Sequence, residues 1–164
     1  MGRVKDKDWH CDGVDRRISR SNEVCKPSTG IPGIGPIIST ALVAAVGNAA
    51  AFRTGRDMAS WLGLVPRQHS SGGKAKLLGI SKRGNQYLRK MLVEGARSAF
   101  ARLNRSQHSV GPWMDELAAK KHSNVAVVAL ANKLARMAWA VLTTGQVYRP
   151  PVLADHGFAQ LACR

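Results

Sequence analysis

The chain has 164 residues, 25 basic against 10 acidic side chains, a net charge of +15 and a pI near 10.8. Hydrophobic residues make up 45% and aromatics 5%; that is enough to bury one core, which excludes wholesale disorder, and it points to helices rather than a β-sandwich. Cys11, Cys25 and Cys163 form no C-x-x-C pair, which excludes a disulfide scaffold and a zinc knuckle and suits a reducing, cytoplasmic setting, while the positive excess calls for a polyanion, either nucleic acid or an anionic membrane surface.

Met1 to Gly30 mixes charges without a helical or strand period, so residues 1–30 are expected to be largely disordered; with no apolar h-region they do not read as a signal peptide. Residues 31–52 carry no charge and are long enough to cross a bilayer. Pro32, Gly33, Gly35 and Pro36 crowd the start of that span and Gly47-Asn48 interrupts its end, so no membrane segment is expected. Ile31 to Gly35 reads as a tight turn, and Pro36 suits the first position of a helix running to about Val46, where Gly47 stops it.

Thr54 is placed to cap a second helix, with Asp57 at the third helical position and Met58, Trp61 and Leu62 on its apolar face; Gly63 closes it and Pro66 prevents continuation. Residues 67–83 are a basic loop, with a short hairpin across Gly72-Gly73 as one form of it. A third helix spans about Asn85 to Leu103, a short fourth opens at Pro112, and a fifth runs from about Asn124 to Thr143, ended by Gly145. Trp61, Trp113 and Trp139 fall at core spacing, and residues 149–164 are expected to be a loose tail. The fold class read from this pattern is all-α: a compact bundle of about five helices over residues 31–148, with a helix-hairpin-helix-like turn and a basic Gly/Ser loop.

Residues 53–105 hold 12 of the basic side chains against only Asp57 and Glu94, so most of the charge excess lies in a third of the chain and flanks the Gly/Ser loop. That favours phosphate contact over a merely solvated face. Three stretches within reach of this charge are candidates for it. In Ile31-Pro32-Gly33-Ile34-Gly35 the glycines let backbone approach a phosphate, ahead of a helix N-terminus with unpaired N–H groups; the alternative is a turn that only packs two helices. Ser70-Ser71-Gly72-Gly73-Lys74 is neither a Walker A loop nor a hydrolase elbow. It puts a serine pair among Arg67, His69, Lys74, Lys76, Lys82 and Arg83, where a hydroxyl could be activated and phosphorane charge neutralised; by composition alone, turn chemistry is the better account. Gly79 to Asn85 reads as a basic helix cap, with Ser81 or Asn85 capping and Ser81, Lys82 and Arg83 open to phosphate. No paired-carboxylate or metal cluster is expected.

Taken in order, IPGIGP (31–36), FRTGRD (52–57), WLGLVPRQ (61–68), SSGGK (70–74) and LGISKRGNQYLR (78–89) resemble the C-terminal domain of insertion-sequence transposases of the insertion sequence 110/116/902 family. The resemblance covers about residues 31–148. It implies a DNA transposase/recombinase in which an N-terminal RuvC-like domain carries acidic ligands for magnesium and the helical C-terminal domain carries a nucleophilic serine that forms a phosphoserine link to DNA. The family stretch Gly-Leu-x-Pro-Arg-x-x-x-Ser-Gly falls on Gly63, Leu64, Pro66, Arg67, Ser71 and Gly72, which makes Ser71 the implied nucleophile.

The resemblance further implies DNA as partner, an element-encoded guide RNA, a homo-oligomer in the full-length family and a cytoplasmic, nucleoid-associated location. Arg67, Lys74 and Lys76 are then expected as phosphate clamps, with Gly33, Ile34 and Gly35 contacting nucleic acid through the turn. Nothing in the chain resembles the RuvC-like domain, so no cofactor is expected within it and the expectation is a truncated transposase. The rival expectation is a non-catalytic nucleic-acid-binding module, the remnant of a decayed element.

Overall fold

A computed structural model describes residues 26–71, 74–106 and 108–150. They form five α-helices, α1 Pro36–Val46, α2 Gly55–Trp61, α3 Gln86–Arg102, α4 Gly111–Lys120 and α5 Ser123–Thr144, with one antiparallel pair of strands, β1 Pro66–Ser71 and β2 Lys74–Ile80, between α2 and α3. The expected all-α bundle is thus observed, and the basic loop folds as a two-stranded ribbon.

Local chemistry sets most helix starts. Pro36 occupies the first turn of α1, where its missing N–H leaves no bond unmade. Thr54 and Asp57 complete a reciprocal capping box on α2: Thr54 Oγ1 accepts the Asp57 N–H, and Asp57 Oδ2 accepts the Thr54 N–H at 2.9 Å. Asn85, not Ser81, caps α3, its Oδ1 accepting the Leu88 N–H at 3.0 Å. His122 does the same for α5, accepting the Asn124 N–H at Nδ1. Gly145 ends α5 in the left-handed conformation.

The core is assembled around α5, which packs against α2, α3 and α4, while α1 lies on α3. Leu42, Met58, Leu62, Leu88, Leu92, Met114, Leu130 and Leu134 are fully buried in this one cluster, each such side chain contributing about 1.5–3 kcal/mol of transfer free energy. At 22 residues α5 is long and apolar enough to cross a membrane by length and composition, but half of that stretch is the buried centre of the bundle.

One boundary differs from the sequence reading. Residues 26–30, assigned there to the disordered leader, form a 3₁₀ turn, Lys26–Gly30, and the Ser28 hydroxyl is buried 2.8 Å from that of Ser39 on α1. Ser28 and Ser39 satisfy one another's hydrogen bonding inside the core, so the packed unit begins upstream of Ile31. Trp113 and Trp139 pack against the core as expected, whereas Trp61 is 37% exposed and leans on Phe52 with ring centroids 5.5 Å apart. At the other end, Tyr148 stacks on His108 and lies beside Gly30; residues 151–164, most of the expected tail, lie outside the described residues.

Candidate nucleic-acid interface

The ribbon stands on the bundle by its base. Val65 and Ile80 are half-buried, while Pro66 to His69 and Leu78-Gly79 are exposed. Register pairs Pro66 with Ile80, Gln68 with Leu77, His69 with Lys76, Ser70 with Ala75 and Ser71 with Lys74. Two residues of β2, Leu78 and Gly79, therefore face the single residue Arg67, a bulge that increases twist at the base of the ribbon. Beyond the Ser71–Lys74 pair only Gly72 and Gly73 remain, the length and composition of a two-residue hairpin connection; they lie outside the described residues.

This register distributes the predicted clamp along the ribbon. Lys74 is Ser71's cross-strand partner, with Cα atoms about 5 Å apart in such a pair. Lys76 is opposite His69. Arg67 lies four residues down β1 from Ser71, about 13 Å at a strand's rise per residue. Lys74 thus stands at Ser71's level in the ribbon, and Arg67 lies nearer its base.

At that base, residues 81–85 are clasped against the end of α2. The Ser81 N–H donates to the Val65 carbonyl at 2.8 Å and the Lys82 N–H to the Gly63 carbonyl at 3.2 Å. Gly63 and Gly84 both have positive φ, 71° and 91°. A Cβ on Gly63 would collide with the Arg83 carbonyl oxygen, and one on Gly84 with the Trp61 carbonyl oxygen, so two backbones meet here with no room for a side chain.

Arg89, half-buried on α3, closes the clasp by donating from Nη1 to the carbonyls of Leu62 at 3.0 Å and Arg83 at 3.3 Å. Nothing in the sequence marks Arg89 off from its basic neighbours; its role appears only once α3 is laid beside α2. Lys82, with φ 57°, and Arg83 are exposed beside this rigid support. Tyr87, in the first turn of α3, is 60% exposed.

The Ile31–Gly35 turn is a different place. Gly33 has φ 84° and packs backbone to backbone against Gly95 of α3; a Cβ on Gly33 would lie within 2.5 Å of the Gly95 carbonyl oxygen. Gly95 is ten residues beyond Asn85, so the turn sits about 15 Å along α3 from the Lys82–Arg83 loop. Ile34, expected at a nucleic-acid contact, is corrected here. Its side chain is 1% exposed and its N–H already donates to the Ile31 carbonyl at 2.9 Å, so neither is free for a phosphate. Gly35 stands in open space as the N-terminal flank of α1, which has no side-chain cap. Together the turn and Met91, Glu94, Gly95 and Ser98 line an open groove.

Among the described residues no group of three or more His, Cys, Asp or Glu is placed to hold a metal ion. The ribbon and the 81–83 loop offer cations and hydroxyl-bearing residues but no acid, an arrangement suited to holding and neutralising a sugar–phosphate strand.

Residues 28–110 match the transposase family described as IS116/IS110/IS902. Over 120 residues the chain is 48% identical to a Pseudomonas aeruginosa protein named "Probable family 20 transposase", an alignment covering 73% of this chain and 36% of that protein. It is 46% identical over 118 residues to the transposase for insertion sequence element IS1328 of Yersinia enterocolitica, covering 72% and 35%. It is 41% identical over 134 residues to the transposase for insertion sequence element IS1111A of Coxiella burnetii, covering 82% and 37%. The chain spans about a third of the length of these curated relatives.

Proposed function

The chain belongs to the IS116/IS110/IS902 transposase family, and we propose that it is the family's C-terminal DNA-binding portion, with Ser71 as the nucleophile of DNA transposition. In this reading the Ser71 hydroxyl oxygen attacks a backbone phosphorus, a sugar oxygen leaves with a proton, and the strand end is held as a phosphoserine ester until a second sugar hydroxyl displaces the serine and rejoins DNA. Lys74 would neutralise the phosphorane at the level of Ser71. Lys76, Arg67, Ser81, Lys82 and Arg83 would hold the flanking phosphates down the ribbon. Gly35, with Gly33 supporting the turn, would meet a more distant part of the duplex.

The observation that carries this reading is the register: it sets Ser71 at the last pair before the Gly72-Gly73 connection, directly opposite a lysine. A backbone phosphate can reach a ribbon tip without disturbing the packed bundle. Magnesium, which the resemblance assigns to the RuvC-like domain, has no ligand set among the described residues, and no step is assigned to it. An element-encoded guide RNA and a homo-oligomer belong to the same proposal.

Covalent trapping tests it. The chain is incubated with end-labelled, nicked element-end DNA, with and without a separately supplied RuvC-like domain, and adducts are resolved under denaturing conditions. The wild type and Ser70→Ala are expected to yield a protein–DNA adduct and Ser71→Ala none. An adduct retained in Ser71→Ala overturns the assignment. DNA binding with no adduct from any variant, with or without the added domain, selects the non-catalytic binding module.

A further inference from the structure

The fold gathers a second group of cations at the other end of α2, away from the ribbon. Three contacts run in order between the α2 region and α5. Trp139 Nε1 donates to the Phe52 carbonyl at 3.1 Å, Gly55 lies against the backbone of Arg136, and the Asn132 amide donates to the Leu64 carbonyl at 3.2 Å. At Gly55 the approach is tight, since a Cβ there would come within 3.2 Å of Arg136 Cα. This antiparallel seam places Arg53 and Arg56, which flank Gly55, beside Arg136, eighty residues on in the chain from Arg56. All three arginines are exposed. Lys133, one turn earlier on α5, lies with its ammonium 4.5 Å from the centroid of the Trp113 ring.

Among the described residues no acid forms an ion pair with Arg53, Arg56, Lys133 or Arg136, and Asp57, beside Arg56, is the one carboxylate at this end of α2. Between residues 31 and 148 the acidic side chains are Asp57, Glu94, Asp115 and Glu116. Glu94 pairs with Arg97, Asp115 with Arg105 and Glu116 with Lys120. The Asp57 carboxylate is taken up by the α2 capping box. Burial, and then the charge of Arg136, hold the Lys133 ammonium below the ordinary lysine range. Folding thus brings like charges together on a surface where, among the described residues, no acid forms an ion pair with them.

We propose that Arg53, Arg56, Lys133 and Arg136 form a second phosphate-binding station, which takes the sugar–phosphate backbone of the nucleic acid held at the ribbon. This rests on the nucleic-acid reading given above and extends the interface across α2 onto α5. The geometry suits one continuous ligand. The seven residues of α2 span about 10 Å, with Gly55 against Arg136 at one end and Trp61 against Gly84 at the other. That is about three base steps of a duplex strand. Arginines suit the role because the guanidinium fork matches phosphate oxygens bidentately.

The test uses the full chain and fluorescence anisotropy with two labelled probes, a 30-base-pair DNA duplex and a single-stranded RNA of equal length. Arg56→Ala/Arg136→Ala is compared with Lys120→Ala/Lys121→Ala, which removes the same charge near the start of α5, about 20 Å from Arg136 along the helix. Arg56→Gln/Arg136→Gln keeps most of the side-chain stems against the seam, in case the alanine pair unfolds. The arginine pairs are expected to weaken binding about tenfold or more near physiological salt. They are also expected to flatten the dependence of log affinity on log salt by about 2, while the lysine pair stays near wild type on both measures. The probe that shows the change identifies which backbone occupies the station. Equal behaviour of the two charge-matched pairs overturns the inference. If Lys82→Ala/Arg83→Ala weakens binding while the arginine pairs do not, the station falls and the ribbon reading stands. A wild-type chain that binds neither probe overturns both.

Discussion

Replacing Gly84 with alanine is expected to loosen the support of the Lys82–Arg83 loop at a cost that the contacts allow to be apportioned. Gly84 has φ 91°, and a Cβ built on it meets the Trp61 carbonyl oxygen. An L-residue held at positive φ gives up roughly 1–2 kcal/mol. A clash against backbone, which cannot swing aside as a side-chain end does, adds about 1–3 kcal/mol. The sum, about 2–5 kcal/mol, lowers the melting temperature by about 4–20 °C for a chain of this size. Gly47 serves as the comparison: its φ is 58° and ψ −124°, outside the left-handed helical region, and nothing lies within 4 Å of a Cβ there, so Gly47→Ala should show a backbone cost alone, about 1–3 kcal/mol. Urea unfolding of both variants, followed by circular dichroism, measures the difference. A Gly84→Ala chain as stable as Gly47→Ala would mean that the 81–85 loop does not lie against α2 as described, and the rigid mounting of Lys82 and Arg83 would fall with it.

Two further outcomes are expected. Thr54→Ala removes one half of the capping box on α2 and should destabilise the chain by about 1 kcal/mol in urea; an unchanged midpoint would show that the box contributes nothing to stability. His108 is half-buried, accepts the Val110 N–H at Nδ1, and is held below the usual histidine range by burial. The unfolded chain therefore takes up this proton at higher pH than the folded chain does, near 6.5, and stability rises with pH across that window. Relative to His108→Gln, the wild-type urea midpoint should fall as pH drops from above the unfolded value through the folded one. A wild-type advantage that grows on acidification would contradict this placement.

What was legible in the sequence was local. Pro36, the Thr54–Asp57 box, Asn85 and Gly145 act within a few residues of themselves, and α1, α2, α3 and α5 start and stop within a residue or two of where those signals put them. The Gly72-Gly73 pair could be read as a hairpin connection for the same reason. What was not legible depends on partners distant in the chain. Ile34 reads as part of an exposed turn until α3 is set against it. Nothing near Gly33 or Gly84 announces that Gly95 or Trp61 will press on its backbone. Ser28 reads as part of a polar leader because its partner, Ser39, is eleven residues away inside α1. Arg89 looks like any other cation of α3 until the Leu62 and Arg83 carbonyls converge on it.

The same distinction governs the charge. A surplus of basic residues says that an anion is needed but not where, because a chain can fold to spread cations apart or to pair each with an acid. Over the described residues this chain does neither. Its acids there are used locally: Glu94 and Glu116 pair within their own helices, Asp115 with Arg105 in the loop ahead of α4, and Asp57 serves the cap of α2. The long-range contacts of α2, to Gly84 at one end and Arg136 at the other, then draw cations from distant parts of the chain to the two ends of one short helix. Repulsion among gathered cations opposes folding, and the packed core of α2, α3 and α5 has to outweigh it. A bound polyanion reverses the sign of that term and stabilises the folded chain in proportion to its occupancy. The arrangement is therefore stabilised most when its ligand is a phosphate backbone long enough to touch both ends of α2 at once.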